Sequence, residues 1–172
     1  MIRSPSLVGS MTREPRAGKP LYNPSVTSSA GNIGRVLGLD VGARRIGVAV
    51  SDLLGITAQG LDTLQRKNKR HDLAQLERII RENDVREIVV GLPLRMSGAE
   101  GIQAEKMQAF AADLRKHFRL PVHLWDERLT SAEANRLLRE TDLSIEKRGK
   151  AVDRMAAVLI LQGWMESRTL QP

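Results

Sequence analysis

The stretch GLDVGARRIGVAVSD, residues 38–52, contains two apolar runs that are separated by a glycine-containing turn. In the second run Ile46, Val48 and Val50 alternate with small residues, as in a β-strand. The first run leads into Asp40, although strands are depleted in aspartate and an isolated buried carboxylate is strongly disfavoured unless it is paired or bound to a metal. The stretch therefore predicts two adjoining strands, about 36–41 and 46–52, that carry a carboxylate in need of a partner.

Outward from these two strands, the apolar pattern predicts a mixed α/β domain. The further expected elements are an extended segment at 57–64, a helix around 73–80, a short buried strand at 87–91, a helical stripe from Ile102 to Phe118, a strand at 122–125, and helices at about 131–140 and 150–167. The extended segment can complete an antiparallel meander with the first two strands. The order βββαβαβαα predicts a mixed sheet with helices on its faces.

The chain has one expected domain between two tails. Residues 1–34 are rich in Pro, Ser and Gly and lack apolar periodicity, which predicts a disordered or loosely ordered tail. A single domain is expected over residues 35–168, followed by a short C-terminal tail, residues 169–172. The N-terminus lacks the apolar segment of a signal peptide, and the longest apolar run, residues 156–161, is too short to span a bilayer. We therefore expect a cytoplasmic protein with no membrane partner.

The composition limits the classes of function. The 172 residues include no cysteine and only three scattered histidines, which excludes disulfides, thiolate zinc sites and a cysteine nucleophile. The net charge is +7, which favours a polyanionic partner. Residues 1–35, however, carry five Lys or Arg against one Glu, so more than half of the excess charge lies at or before the first residue of the expected domain. Aromatic residues make up only 3% of the chain, so nucleic acid would be bound through its backbone and shape.

Acidic residues at three places are candidates for chemistry. Asp40 lies in the first strand; Asp126 and Glu127 follow the strand at 122–125, at the carboxyl end where sites of α/β sheets collect. Asp153 lies on the last helix, and its neighbours on the same helical face are apolar: Ala156, Ala157 and Ile160. Three converging carboxylates repel one another unless a cation neutralises them, and hard oxygen ligands point to Mg²⁺ or Mn²⁺. Carboxylates that hold two such ions serve in-line phosphodiester cleavage.

Each of these acidic residues also has a structural interpretation. A buried aspartate such as Asp40 is often satisfied by backbone amides. Asp126 can be a structural partner of Arg128, and Asp153 can be an acid at the start of a helix, where the helix dipole favours it. Asp52, after the second strand, is either a turn residue or a supporting partner of the site. The sequence leaves open whether Asp126 or Asp52 joins the other carboxylates.

Four segments, taken in order, resemble the RuvX/YqgF family of RNase H-like nucleases: GLDVGARRIGVAVSD, IVVGLPLRMSGAEG, WDERLTSAEA and KAVDRMAAVLILQGW. The resemblance runs from about Val36 to Glu166. It implies an RNase H-like fold with a mixed five-stranded sheet, in which the first three strands are antiparallel and two further strands are parallel, and with helices on both faces. It also implies a nuclease in 5′-end maturation of pre-16S ribosomal RNA, with Holliday junction resolution on four-way DNA as the alternative.

The resemblance also implies the residues of the site. The family's acidic positions correspond to Asp40, Glu127 and Asp153, as catalytic residues and as ligands of Mg²⁺ or Mn²⁺. Five nearby basic residues are candidates for gripping phosphates that flank the cleaved bond: Arg44, Arg45, Arg128, Arg148 and Lys150. The expected partner is nucleic acid, either pre-ribosomal RNA or branched DNA. A junction enzyme would require a homodimer, whereas a processing enzyme could act as a monomer.

Two interpretations from other classes compete with the nuclease. The residues Asp40-Val41-Gly42 have the Asp-x-Gly form of actin-like and sugar-kinase ATPases, but the threonine that usually follows is absent and the chain is too short for two such domains. The second rival is a catalytically silent RNA-binding or ribosome-assembly module on the same fold. Retention of all three carboxylates argues against it, because simple binding of phosphates would be better served by Lys or Arg.

Overall fold

The computed structural model describes residues 34–92, 101–126 and 145–169, with side chains for 149–168 of the last range, and the structural statements below concern these residues. The strands are β1 (Arg35–Val41), β2 (Arg45–Ser51), β3 (Ala58–Gly60), β4 (Leu64–Gln65), β5 (Val85–Leu92) and β6 (Val122–Asp126). The helices are α1 (Lys69–Glu82), α2 (Ile102–Phe118) and α3 (Ile145–Thr169). None of these helices combines the length and the apolar character that a membrane span requires. Residues 1–33 of the expected tail and the helix expected at 131–140 lie outside the described ranges.

The described strands form one mixed sheet. Five strands lie side by side in the order β3-β2-β1-β5-β6, and β4 also pairs with β2. β1 and β2 are antiparallel, with Asp40 opposite Gly47. β5 runs parallel to β1, and β6 runs parallel to β5. The mixed sheet is confirmed, and the carboxyl ends of β1, β5 and β6 meet at one edge, which is also the edge where Asp40 lies.

The third strand expected at 57–64 is divided into β3 and β4. β3 ends at Gly60, which pairs with Ala49 of β2, and β4 begins at Leu64, which pairs with Ile46 of β2. Between these two pairs, β2 advances by three residues and the segment from β3 to β4 advances by four. One extra residue interrupts the ladder, as in a β-bulge. The described sheet accordingly has six strands rather than the five expected, because pairing stops at the extra residue and resumes after it.

The sheet buries a hydrophobic core on each face. On one face α1 and α2 cover Leu37, Leu39 and Val41 of β1. The helical pattern expected around residues 73–80 is confirmed, since the buried apolar side chains of α1 are Leu73, Leu76, Ile79 and Ile80. On the opposite face α3 packs against the sheet through a second cluster that includes Ala157, Ile160, Leu161 and Trp164. Helices therefore flank both faces, as expected.

Two helices differ in detail from the sequence pattern. The side chain of Ile102 was expected in the buried stripe of α2 but is 70% exposed. Ile102 precedes the buried residue Ala104 by two positions, which corresponds to a rotation of about 200° around the helix axis. Its side chain therefore points away from the buried face. α3 begins at Ile145 rather than near residue 150. Residues 146–148 are Glu, Lys and Arg, which favour helices but add nothing to an apolar period.

α3 meets the sheet at two glycines. A Cβ atom added to Gly47 of β2 would lie 1.9 Å from the backbone oxygen of Asp153, and one added to Gly38 of β1 would lie 2.7 Å from Cβ of Leu161. Both distances are shorter than the approach that real Cβ atoms tolerate, so only glycine fits while α3 keeps this position. The helix that carries Asp153 is therefore positioned by direct contact between its backbone and β2.

Candidate active site

β1 places Asp40 on the sheet face that α3 covers. Side chains alternate between the two faces along a strand. Leu37, Leu39 and Val41 enter the core beneath α1 and α2, so Gly38 and Asp40 face α3. Asp40 is the last residue of β1 on this face and lies at the carboxyl edge of the sheet. The strand thus holds the carboxylate on a rigid element at the edge where parallel strands end.

α3 brings Asp153 to the same place. Asp40 lies opposite Gly47 in the β1–β2 ladder, and the backbone oxygen of Asp153 contacts Gly47. The next residues on this face of α3 are buried against the sheet, as the sequence pattern indicated: Ala156, Ala157 and Ile160. The first strand and the last helix therefore bring two carboxylates together although 112 positions separate them in the chain.

The two carboxylates are electrostatically opposed. Burial, and to a smaller extent the negative charge of Asp153, raise the pKa of Asp40 from its usual 3.8 to about 6. Among the described residues no donor forms a hydrogen bond with the Asp40 carboxylate, so backbone amides in this part of the chain do not satisfy it. Two such groups favour a bound cation, because a cation removes both the burial penalty and the mutual repulsion.

Arg45 makes an ion pair with Asp153. Its Nε donates to Oδ2 of Asp153, and both side chains are partly buried. Gly149 of α3 lies beside this guanidinium, since a Cβ atom added there would be 2.7 Å from a terminal nitrogen of Arg45. The sequence suggested Arg45 as a phosphate-binding residue. The structure places it on a carboxylate of the site, where it balances part of the negative charge, and its role in phosphate binding stays a prediction.

The other basic candidates occupy different surroundings. Arg44 is exposed in the β1–β2 turn, and Lys150 is exposed on α3, one helical turn before Asp153. The backbone oxygen of Lys150 accepts a hydrogen bond from Oγ1 of Thr63 at 3.1 Å, which ties this turn of α3 to the segment between β3 and β4. Both basic side chains thus border the carboxylate edge. The remaining site candidates, Glu127, Arg128 and the Arg148 side chain, lie outside the described residues.

The two additional acidic candidates are separated from Asp40. Asp126 ends β6 and pairs in register with Leu92. Because Trp125 packs in the cluster beneath α3, strand alternation directs Asp126 to the opposite face. Asp52 lies at the far end of β2, where its carboxylate accepts a hydrogen bond from the backbone N–H of Ile56 at 2.8 Å. That bond lowers the pKa of Asp52, and the residue serves the turn between β2 and β3.

Sequence reasoning missed a buried ion pair near this edge. Asp72, in the first turn of α1, is only 2% exposed, and its Oδ2 lies 3.1 Å from Nε of Arg66. Nη1 of Arg66 also donates to the backbone oxygen of Gly42 at 2.8 Å, so the pair fixes the β1–β2 turn that follows Asp40. The available signal was the position of Asp72 on the same helical face as Leu76, where an acidic residue requires a partner.

The donors present fit a hard divalent cation. No group of three metal-binding side chains occurs among the described residues, which contribute the pair Asp40 and Asp153. Both supply carboxylate oxygens, and no cysteine exists in the chain. Oxygen donors of this kind suit Mg²⁺ or Mn²⁺ better than softer metals. The third acidic candidate, Glu127, lies outside the described ranges.

Comparison with known proteins identifies the family. A family model described as "RuvX: Holliday junction resolvase" matches residues 34–167. The chain belongs to the RuvX family. A RuvX relative from Koribacter versatilis, named "Putative pre-16S rRNA nuclease", is 67% identical over 135 residues, which cover 78% of this chain and 88% of the relative. A relative of the same name from Moorella thermoacetica is 52% identical over 132 residues, covering 77% and 94%.

A solved structure shows the same fold at low sequence identity. T. thermophilus RuvC, determined in complex with a Holliday junction substrate, matches with a TM-score of 0.50 at 13% identity, and the match covers 80% of this chain and 96% of RuvC. The expected family and the RNase H-like fold are thereby confirmed. The family model is described as a resolvase and the two relatives are named as nucleases, so the prediction of a hydrolytic nuclease is also confirmed, and the ATPase interpretation is not supported.

The raised pKa of Asp40 predicts how stability depends on pH when divalent cations are removed. Between about pH 4 and pH 6 the folded chain binds more protons than the unfolded chain, so the free energy of unfolding should fall as the pH rises. A shift of this size corresponds to about 3 kcal/mol. Urea unfolding of the parent and of Asp40→Asn in EDTA would measure it. The two proteins should be equally stable near pH 4, with the variant gaining the advantage towards pH 7; a constant difference across this range would contradict the prediction.

Proposed function

We propose that this chain is a divalent-metal-dependent nuclease that acts in the cytoplasm to mature the 5′ end of pre-16S ribosomal RNA. The observation that carries the proposal is the meeting of Asp40 and Asp153 at the carboxyl edge of an RNase H-like sheet. The names of the two RuvX relatives support the choice of substrate, since they are 67% and 52% identical to this chain.

Asp40, Glu127 and Asp153 are the proposed metal ligands. The described part of β6 supports Glu127 over Asp126: Trp125 lies on the α3 face and Asp126 on the other, so an alternating strand would return to the α3 face at the next residue. The proposed ion is Mg²⁺ or Mn²⁺, for which carboxylate oxygens are suitable ligands. When bound, such ions supply an activated water and neutralise the charge that develops on the leaving oxygen.

The chain's own residues orient the site. β1 and α3 fix the two carboxylates on rigid elements, and Arg45 holds Asp153 in one orientation through their ion pair. Arg44 and Lys150 lie exposed at the same edge, where they would bind phosphates on either side of the cleaved bond. Arg128 and Arg148 are proposed for the same task from the sequence. A site built in this way recognises the phosphate backbone and not the bases.

Resolution of Holliday junctions is the second candidate function. It is favoured by the description of the family model and by the fold shared with RuvC, which was solved with a junction substrate. The same carboxylates and cations would serve either substrate. A junction enzyme must cut two strands related by symmetry, so this candidate requires a homodimer.

The two candidates are separated by direct cleavage assays. Purified protein should cleave a pre-16S ribosomal RNA fragment near its 5′ end in Mg²⁺ or Mn²⁺ and leave a four-way DNA junction of similar length intact. Asp40→Asn is the control and should cleave neither. Cleavage of the junction with the RNA left intact would favour the alternative. Cleavage that persists in Asp40→Asn would show that the assigned site does not perform the reaction.

A further inference from the structure

A second surface lies at the same edge of the sheet, on the face opposite α3. It is an open cleft of about 550 Å³ between the β1–β2 turn, the start of α1 and the first half of α2. Gly42 and Ala43 of the turn form one wall, and Met107 and Phe110 of α2 form part of another. The volume falls in the range of ligand-binding sites. Of the described acidic site residues, neither Asp40 nor Asp153 lines this cleft.

The cleft carries an excess of positive charge. Its cationic lining residues are Arg66, Lys67, Lys69 and Lys106. Two carboxylates also line it, and each pairs with one cation: Asp72 with Arg66 at 3.1 Å, and Asp113 with Lys69 at 2.6 Å. The other two side chains, on Lys67 and Lys106, are exposed and form no ion pair with another described residue. The cleft therefore has a net charge of +2, contributed by Lys67, which precedes α1, and Lys106 of α2.

The β1–β2 turn, which forms one wall of the cleft and follows Asp40, is held in place by Arg66. Nη1 of Arg66 donates to the backbone oxygen of Gly42 at 2.8 Å, and its backbone N–H donates to the backbone oxygen of Arg44 at 3.0 Å. The guanidinium also lies over the ring of Phe110, 5.7 Å from its centroid. Ala43 follows Asp40 by three positions, so the Cα atoms of these two residues are at most about 10 Å apart. One strand of nucleic acid could therefore contact both places.

We infer that this cleft binds the phosphodiester backbone of the nucleic acid beside the cleaved bond, with Lys67 and Lys106 as the phosphate contacts. The inference rests on the proposed function, because the ligand is the flank of the same substrate. The aromatic ring in the cleft lies beneath Arg66 and is not open to base stacking. The ligand is therefore recognised by its charge and spacing, and the base sequence of this flank is not read.

The test measures binding without cleavage. A labelled single-stranded RNA oligonucleotide is titrated against Asp40→Asn protein that also carries Lys67→Glu or Lys106→Glu, at several salt concentrations. Each change should weaken binding about tenfold and reduce the slope of log K against log salt by about 0.7, as expected for the loss of one phosphate contact on a single strand. Lys116→Glu is the matched control: it is an exposed lysine on the same helix as Lys106, about 15 Å further along. Its affinity should stay within about twofold of the parent.

The outcomes distinguish the cleft from the proposed function. If Lys67→Glu and Lys106→Glu bind as Lys116→Glu does, while the wild-type chain cleaves, the cleft assignment is wrong and the nuclease stands. If the Asp40→Asn parent binds neither RNA nor four-way DNA, both fail together. If a free 5′-mononucleotide binds as tightly as the oligonucleotide and depends on Lys67, the cleft is a nucleotide pocket and the backbone inference is overturned. Melting temperatures of all variants confirm that each protein is folded at the assay temperature.

Discussion

Asp40→Asn is expected to abolish cleavage while leaving the protein in EDTA as stable as the parent or more stable. The substitution removes one of two opposed carboxylates, and the burial that raises the pKa of Asp40 shows that the charged form is disfavoured in the folded chain. The same change deletes a proposed metal ligand. The stabilisation that Mn²⁺ or Mg²⁺ gives to the parent should therefore disappear, since an ion stabilises only the state that binds it.

Thermal unfolding with EDTA and with Mn²⁺ measures this effect. Asp153→Asn should behave in the same way, because its ion pair with Arg45 is reached by solvent and contributes little stability. Asp62→Asn is the matched control: this side chain is fully exposed and pairs with Arg154 on the surface, so metal-dependent stabilisation should be retained. The metal-site assignment fails if Asp40→Asn is destabilised equally in both conditions, by about 1–3 kcal/mol as for a broken buried hydrogen bond, and still cleaves.

Gly47→Ala should destabilise the fold strongly, although it adds only a methyl group. The new Cβ would lie 1.9 Å from the backbone oxygen of Asp153 and 2.5 Å from its carbonyl carbon. Backbone atoms cannot rotate away, so α3 must shift from the sheet. Overpacking of this kind typically costs about 1–3 kcal/mol and sometimes more. Urea unfolding should show the loss, and metal-dependent stabilisation should weaken as well, because the displaced segment carries Asp153.

Gly60→Ala is the control for this substitution. A Cβ atom added to Gly60 would also be too close to α3, at 2.4 Å, but its nearest neighbour is Cγ of the Arg154 side chain. Arg154 is exposed and can adopt another rotamer. The variant should therefore lose much less stability than Gly47→Ala and keep its response to metal. Equal destabilisation of the two variants would show that backbone contact with Asp153 does not govern the position of α3.

Much of the fold and the placement of two of the three candidate carboxylates could be predicted from local patterns. The hairpin follows from the alternation of Ile46, Val48 and Val50, and the buried face of α3 from the spacing of Ala156, Ala157 and Ile160. The alternation along β1 and the helical spacing along α3 indicate which face of each element is buried. Asp40 and Asp153 lie on the faces where β1 and α3 pack together, so the patterns place the two carboxylates near each other. The family resemblance then indicated which of the acidic residues belong together.

The features that were not predicted depend on contacts between distant parts of the chain. The pairing of Arg45 with Asp153 joins residues 108 positions apart, and an arginine at the start of a strand carries no sign of its eventual partner. The extra residue between β3 and β4 is a property of strand register, which the composition of residues 57–64 does not specify. The Arg66–Asp72 pair and its cleft require α1 and the β1–β2 turn to be positioned first.

The contact of α3 with Gly38 and Gly47 has a consequence for ion selectivity. Where a helix rests on a sheet through side chains, rotamer changes can adjust the distance between groups on the two elements. Here the backbone of α3 packs directly against β2, so the distance between the backbones that carry Asp40 and Asp153 cannot be adjusted by rotamer changes between the two elements. Mg²⁺ prefers oxygen ligands at about 2.0–2.1 Å and Ca²⁺ at about 2.3–2.6 Å. For an ion shared by these carboxylates, two glycines without any metal-binding atoms would therefore determine which ionic radius the site accommodates.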